Sequence, residues 1–254
     1  MDNIIQNEIE YKLIKEATRI STEILKRIKE ETKMGVTPVS LDELAGQLCE
    51  QYEVKPAFFG VPGPKTAYKN NICIGVNDEI LHAIPNDRPF ESGDIVKLDF
   101  GIVYKGFYTD HCVTVGLGEL STEEKRLIET GKLCIEAGIK QAIKGNSVGD
   151  ISNALQTVAE LAGFNYVTTY IGHGIGRKLH LAPEIPAYGI KGTGKKLNEG
   201  MILCIENQIT LGKSDLKLDS DGWTLRTKDG SKGVMFEHMV IVREGKAEVL
   251  TRME

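Results

Sequence analysis

The sequence predicts an α+β fold, and three observations predict it. Apolar residues recur at helical spacing over residues 5–31. Two strand-like runs with a tight turn between them fill residues 95–115. Beyond Tyr166 the chain returns to short apolar runs separated by Gly- and Asp-containing turns. No linker or shift in composition divides the 254 residues, so one domain over 1–254 with a substantial core is expected.

The elements follow in order. Ile14, Ala17, Ile20, Ile24 and Leu25 form the apolar face of the first helix. Ser40-Leu41-Asp42-Glu43 reads as a capping box opening a second. Residues 58–76 mix Gly, Pro and Asn with short apolar pieces and read as loop and strand. Ser121-Thr122-Glu123-Glu124 opens a third helix, which should run to about Lys144 with Gly145 as its stop. Ser147-Val148-Gly149-Asp150 caps a fourth, ended by Gly163. Residues 201–211, 223–227 and 234–242 read as strands, with Asp-Gly turns at 221–222 and 229–230. Each half thus sets strands beside a pair of helices, without sequence self-similarity between the halves.

Bulk properties exclude several classes. At 41% hydrophobic and 26% charged the chain has the balance of a soluble globular protein. A net charge of −5 without a basic block argues against nucleic acid and anionic membranes as partners. No apolar stretch approaches a membrane span, and Met1-Asp2-Asn3-Ile4 lacks the features of a signal peptide. The five cysteines are scattered and lack Cys-x-x-Cys spacing, so they read as reduced thiols of a cytoplasmic protein, with no soft metal donor among them. No long exposed apolar heptad is visible, so a monomer is expected.

The chemistry concentrates elsewhere. Two of the five histidines, His173 and His180, stand in Gly172-His173-Gly174-Ile175-Gly176-Arg177-Lys178-Leu179-His180. Asp99 and Asp110 end two runs that a turn near residues 104–106 would pair antiparallel, opposite or diagonal on one face. Held so close, two carboxylates repel unless a cation sits between them. Glu206 and Glu237 interrupt apolar strand-like runs. Taken singly, an aspartate at the hairpin rim would stand in water, and simple alternation would turn either glutamate to solvent. Taken together with the histidines, the four carboxylates make a metal site. Hard oxygen donors with imidazole suit Mn, Fe, Co or Zn. Four carboxylates exceed what one ion needs, so two divalent ions that activate a bridging water are the natural reading. His82 lies in a loop before the first aspartate run. His111 and His238 directly follow ligand candidates in strands and should point to the opposite face, as non-ligands.

The order and spacing of His82, Asp99, Asp110, His173, His180, Glu206 and Glu237 resemble the methionine aminopeptidases of the pita-bread metallopeptidases, over nearly the whole chain. Gly172-His173-Gly174-Ile175-Gly176-Arg177, the stretch from Asp221-Gly222-Trp223 to Ser231, and Phe236-Glu237-His238 carry the likeness, in the short bacterial-type (type I) form. The resemblance implies two pseudo-symmetric α/β halves around a dinuclear site that removes N-terminal methionine from peptides and nascent proteins. It implies Asp99 as a chelating ligand of one metal, Asp110 and Glu237 as bridges, and His173 and Glu206 as ligands of the other, with Glu206 as general base. His82 and His180 would hold the substrate amide. Cys73, Trp223, Leu179 and the Phe58-Phe59 loop would line the methionine pocket.

The sequence also departs from the family pattern. His82-Ala83-Ile84-Pro85 stands for the usual His-Gly-Ile-Pro, Leu179 for an aromatic, Leu181 for a Glu, and Glu206-Asn207 for Glu-Pro. None removes a ligand, whereas Leu179 should widen the pocket. Asp99-Phe100-Gly101 and Gly106-Phe107-Tyr108-Thr109-Asp110 also resemble the Xaa-Pro aminopeptidases and dipeptidases of the same fold. Those enzymes usually carry a large extra N-terminal domain, and only about a hundred residues precede Asp99 here.

Overall fold

A computed structural model describing residues 3–253 contains four helices and fifteen strands, the strands forming one nine-stranded and two three-stranded sheets, with the two helix pairs packed on the nine-stranded one. The N-terminal half contains α1 (Glu8–Glu31), α2 (Pro38–Gln51), β1 (Lys55–Pro56), β2 (Cys73–Val76), β3 (Glu79–Leu81), β4 (Ile95–Phe100), β5 (Ile102–Tyr104), β6 (Phe107–Tyr108) and β7 (His111–Gly116). The C-terminal half contains α3 (Thr122–Gln141), α4 (Val148–Leu161), β8 (Asn165–Tyr166), β9 (Gly172–Gly174), β10 (Leu181–Ile185), β11 (Ile202–Thr210), β12 (Leu216–Leu218), β13 (Leu225–Thr227), β14 (Gly233–Ile241) and β15 (Glu248–Val249). The main sheet runs β10-β9-β11-β14-β7-β4-β2, with β8 and β15 at its side. This is the pita-bread arrangement of two like halves, which meet where β14 pairs β7. No described helix is long and apolar enough to cross a membrane.

Local chemistry sets the helix starts. Asn7 caps α1, its side chain accepting from the Glu10 amide at 3.0 Å. Ser121 and Glu124 form the expected reciprocal box of α3, whereas at α4 the Asp150 carboxylate accepts from both the amide and the hydroxyl of Ser147. The cap of helix α2 lies three residues before the expected Ser40. Thr37 is the cap, accepting from Ser40 N at 3.2 Å, and Pro38 takes the first turn, where its missing N–H costs nothing. Asp42, expected within a capping box, instead accepts from the amides of Asn71 and Ile72.

Two other boundaries shift for tertiary reasons. Helix α3 stops at Gln141 rather than near Lys144, because the Lys144 amide donates to Arg243 O at 3.0 Å beyond the end of β14. The strand expected from Trp223 starts at Leu225, because the Asp221 carboxylate accepts from the amides of both Trp223 and Thr224 and holds them in a turn.

Strand alternation separates core from site. In β11, Leu203, Ile205 and Ile209 pack towards α3 and α4, while Glu206 takes the other face. In β4, Val96, Leu98 and Phe100 join the core under α1 and α2, while Asp99 takes the other face. Gly131 lets α3 approach β14 closely, since a Cβ there would lie 2.8 Å from Phe236 and 2.9 Å from Val234. Gly131→Ala should therefore destabilise the protein. Overpacking costs about 1–3 kcal/mol, which outweighs the gain of about 1 kcal/mol in helix propensity. A lower urea midpoint is expected; an unchanged or higher one would show that this contact yields without strain.

Candidate metal centre

The site is a row of residues crossing five strands. Cys73 on β2 pairs Asp99 on β4, Asp99 pairs Cys112 on β7, Cys112 pairs Glu237 on β14, and Glu237 pairs Glu206 on β11. Asp110 lies two residues before Cys112, diagonal to Asp99, as the hairpin register predicts. Its amide donates to Met239 Sδ at 3.3 Å. On the neighbouring β9, His173 pairs Cys204 of β11. Eleven of the twelve residues expected as catalytic, ligand or pocket residues line one cavity of about 1110 Å³: Phe58, Cys73, His82, Asp99, Asp110, His173, Leu179, His180, Glu206, Trp223 and Glu237. Phe59 is not among them; it turns outward and is 60% exposed.

Burial dominates the electrostatics. Asp99, Asp110, Glu206 and Glu237 are all at most 8% exposed. Loss of water pushes Asp99 up to about 8, with the Glu206 charge adding to the shift, and Glu206 up to about 7. It also pushes Asp110 and Glu237 well above the carboxylate range, with the neighbouring carboxylates as the further cause. His173 Nε2 stands 3.8 Å from Asp110 Oδ2. Burial holds that imidazole neutral, down at about 4. Its Nδ1 lies 3.0 Å from Gly174 O, which can only accept, so Nδ1 carries the proton and Nε2 offers a bare lone pair.

These residues fit divalent metal. Asp99 Oδ1, Asp110 Oδ1 and Glu237 Oε1 are buried without a hydrogen-bond partner. Oxygens of the three carboxylates lie within 4.8 Å of one another, and Asp110, His173 and His180 form a second such group. Buried charges require pairing or a metal, and hard oxygens with imidazole are the donors such ions take.

The remaining candidates surround the group. His82 follows β3 with φ at 51°, a left-handed backbone that is costly for a residue with a side chain and concentrates at functional positions. Its ring stands edge-on to Tyr170 at 5.4 Å and to Trp223 at 6.3 Å. Burial, and to a lesser degree His180, pulls it down to about 4. His180 is exposed, its ring edge-on to His173 with centroids 4.5 Å apart. His111 and His238 turn away from the cavity. His111 Nε2 meets Ser21 Oγ of α1 at 2.9 Å, and His238 Nδ1 meets Thr251 Oγ1 at 3.0 Å.

Sequence reasoning misses four residues here. Gln208 Nε2 donates to Glu206 Oε2; its signal was its place two residues on along the same strand face. The Tyr68 hydroxyl reaches Ala83 O at 3.0 Å and pins the loop beside His82. Lys97 is 1% exposed and donates to Asn77 O at 2.7 Å, Gly233 O at 3.2 Å and Ile95 O at 3.4 Å, tying β4 to β14 two residues from Asp99. The fourth is Cys204, whose Sγ lies within 4.8 Å of a His173 ring nitrogen and a Glu237 carboxylate oxygen. All five cysteines are free and buried, as expected.

The model of Metallopeptidase family M24 matches residues 12–244. The chain belongs to this family. Among its members, the methionine aminopeptidase of Clostridium perfringens is 36% identical over 248 residues, 98% of each chain. The crystal structure of the Thermotoga maritima methionine aminopeptidase superposes with a TM-score of 0.93 at 36% identity, covering 98% of this chain and 99% of that one. The Pyrococcus furiosus prolidase superposes at 0.80 with 21% identity and is covered over 66% of its length, a likeness of fold alone. Together these place the chain on the methionine aminopeptidase side of M24, and divalent metal binding follows from the family.

Linkage gives this site a pH signature. A carboxylate with a raised pKa contributes stability below its ordinary value, 3.8 for Asp99 and 4.5 for Glu206, and that contribution is lost as pH rises through about 8 and about 7. A metal takes the ionised form, so protons compete with it below those values. At fixed manganese concentration, the rise in Tm on adding metal should therefore grow from about pH 6 to about pH 8 and then flatten. A rise in Tm that is constant or shrinks with pH would place the metal away from these carboxylates.

Proposed function

We propose that this chain, acting as one catalytic domain over residues 1–254, is a dinuclear metalloaminopeptidase that removes the N-terminal methionine from peptides and nascent proteins. The observation that carries the reading is the row of four buried carboxylates beside an apolar cavity, three of them with an oxygen that has no hydrogen-bond partner. End-to-end likeness to methionine aminopeptidases supports it. Asp99 would hold one ion, His173 and Glu206 the other, with Asp110 and Glu237 as shared ligands. When bound, two such ions lower the pKa of a shared water and polarise the scissile carbonyl.

The protein's own residues supply the rest. Glu206, oriented by Gln208, accepts the proton of the attacking water. His82 and His180 hold the substrate amide. Because burial keeps His82 neutral near pH 7, it acts through an N–H hydrogen bond rather than a charge. Phe58, Tyr68, Cys73, Leu81, Leu179 and Trp223 form the wall that receives the first side chain. An unbranched apolar thioether suits such a wall.

A panel of peptides differing only in residue one, with Xaa-Pro peptides alongside, tests the function. Methionine should be best. Leucine and norleucine should follow at a discrimination of about 1–3 kcal/mol, because pocket fit is worth no more per methylene. Methionine falling outside the best substrates, with proline required at position two, would establish the Xaa-Pro activity instead.

His82→Ala should keep its metal and its fold and lose on the order of a hundredfold in kcat, the usual cost of one donor to the developing charge. A variant within twofold of the parent would reduce His82 to a loop residue.

A further inference from the structure

Cys204 is the one donor at the site that neither the carboxylate pattern nor the family likeness brings in. It stands two residues before Glu206 on the same face of β11 and pairs directly with His173 on β9 and Met239 on β14. It is fully buried. Its Sγ, a ring nitrogen of His173 and a carboxylate oxygen of Glu237 all lie within 4.8 Å of one another. The other two members of this group are poised for a ligand. Glu237 is 2% exposed with Oε1 unpartnered, and His173 Nδ1 is engaged by Gly174 O, which leaves Nε2 bare. The thiol's backbone contact is weak, Sγ to Asp110 O at 3.8 Å. Cys73 and Cys112 share the sheet row, yet among the described residues Cys204 is the thiol that joins such a cluster.

Sulfur, imidazole nitrogen and carboxylate oxygen within 4.8 Å of one another make a borderline-soft donor set. We propose that Cys204 is an additional ligand of the metal position held by His173, and that it biases that position towards zinc, cobalt or ferrous iron over manganese. The inference rests on the two-metal reading. Coordination exchanges the S–H bond for a metal–sulfur bond; the proton leaves to solvent and no electron is transferred.

Cobalt(II) tests it in the full-length protein, stripped of metal and reloaded under reducing, oxygen-free conditions. Visible ligand-field bands report that the site is filled. A near-ultraviolet sulfur-to-cobalt charge-transfer band reports the thiolate. The parent should show both. Cys204→Ser and Cys204→Thr should keep the first and lose the second, while Cys73→Ser and Cys112→Ser keep both. Zinc affinity should fall by about tenfold or more in the Cys204 variants, with manganese affinity changed less. Ligand-field bands without a charge-transfer band in the parent, or a charge-transfer band surviving in both Cys204 variants, would overturn the inference and leave the two-metal reading intact. Absence of ligand-field bands in the parent would sink the two-metal reading itself, and the inference with it.

Discussion

Four carboxylates buried in one wall of a cavity are the constraint on which the rest of the structure depends. A carboxylate without water or a counter-ion is expensive in a protein interior, and neighbouring ones repel. Proton uptake relieves part of that cost in the metal-free chain, which is why Asp99 and Glu206 are pushed to about 8 and about 7. Metal relieves it differently, by neutralising the ionised groups and occupying the oxygens that have no hydrogen-bond partner. The protonated carboxylates are thus the groups that would give up protons in exchange for metal.

Holding the group in place takes both halves. β4 carries Asp99 and the link into β7 carries Asp110, the β11–β14 pair brings Glu206 and Glu237, and the halves touch in the row itself, where Glu237 pairs Cys112. Each strand is backed by its own helix pair. Behind Asp110, the Thr109 hydroxyl donates to Ser21 Oγ of α1, which also meets His111. Beside Asp99, Lys97 joins carbonyls of β4, β14 and the turn after β2. Four of the five ligand candidates are therefore placed by paired strands, with Asp110 one residue before β7, and such rigidity is what a site with stringent donor positions needs.

Where the sequence is locally decisive, it is legible. Ser121 and Glu124 reveal the start of α3 because both partners lie within one turn. Asp99 and Asp110 share a face because a short turn leaves little freedom of register. Glu206 and Glu237 stand out because each breaks an apolar run. Legibility fails where distant chain segments decide. Thr37 and Ser40 are both competent caps, and only Asp42's bonds to Asn71 and Ile72 show why the earlier start prevails. Lys97 looks like an ordinary polar residue in an alternating strand, since its three carbonyl partners come together only in the folded sheet. Cys204 meets His173 through β9–β11 pairing across 31 residues of chain, which spacing alone cannot reveal.

Anomalous diffraction from crystals loaded with manganese or cobalt tests the central claim most directly. The account predicts two peaks about 3.5–4 Å apart in the cavity, with Asp110 and Glu237 reaching both, Asp99 on one side and His173 and Glu206 on the other. A single peak, or ions bound away from the carboxylate row, would contradict it.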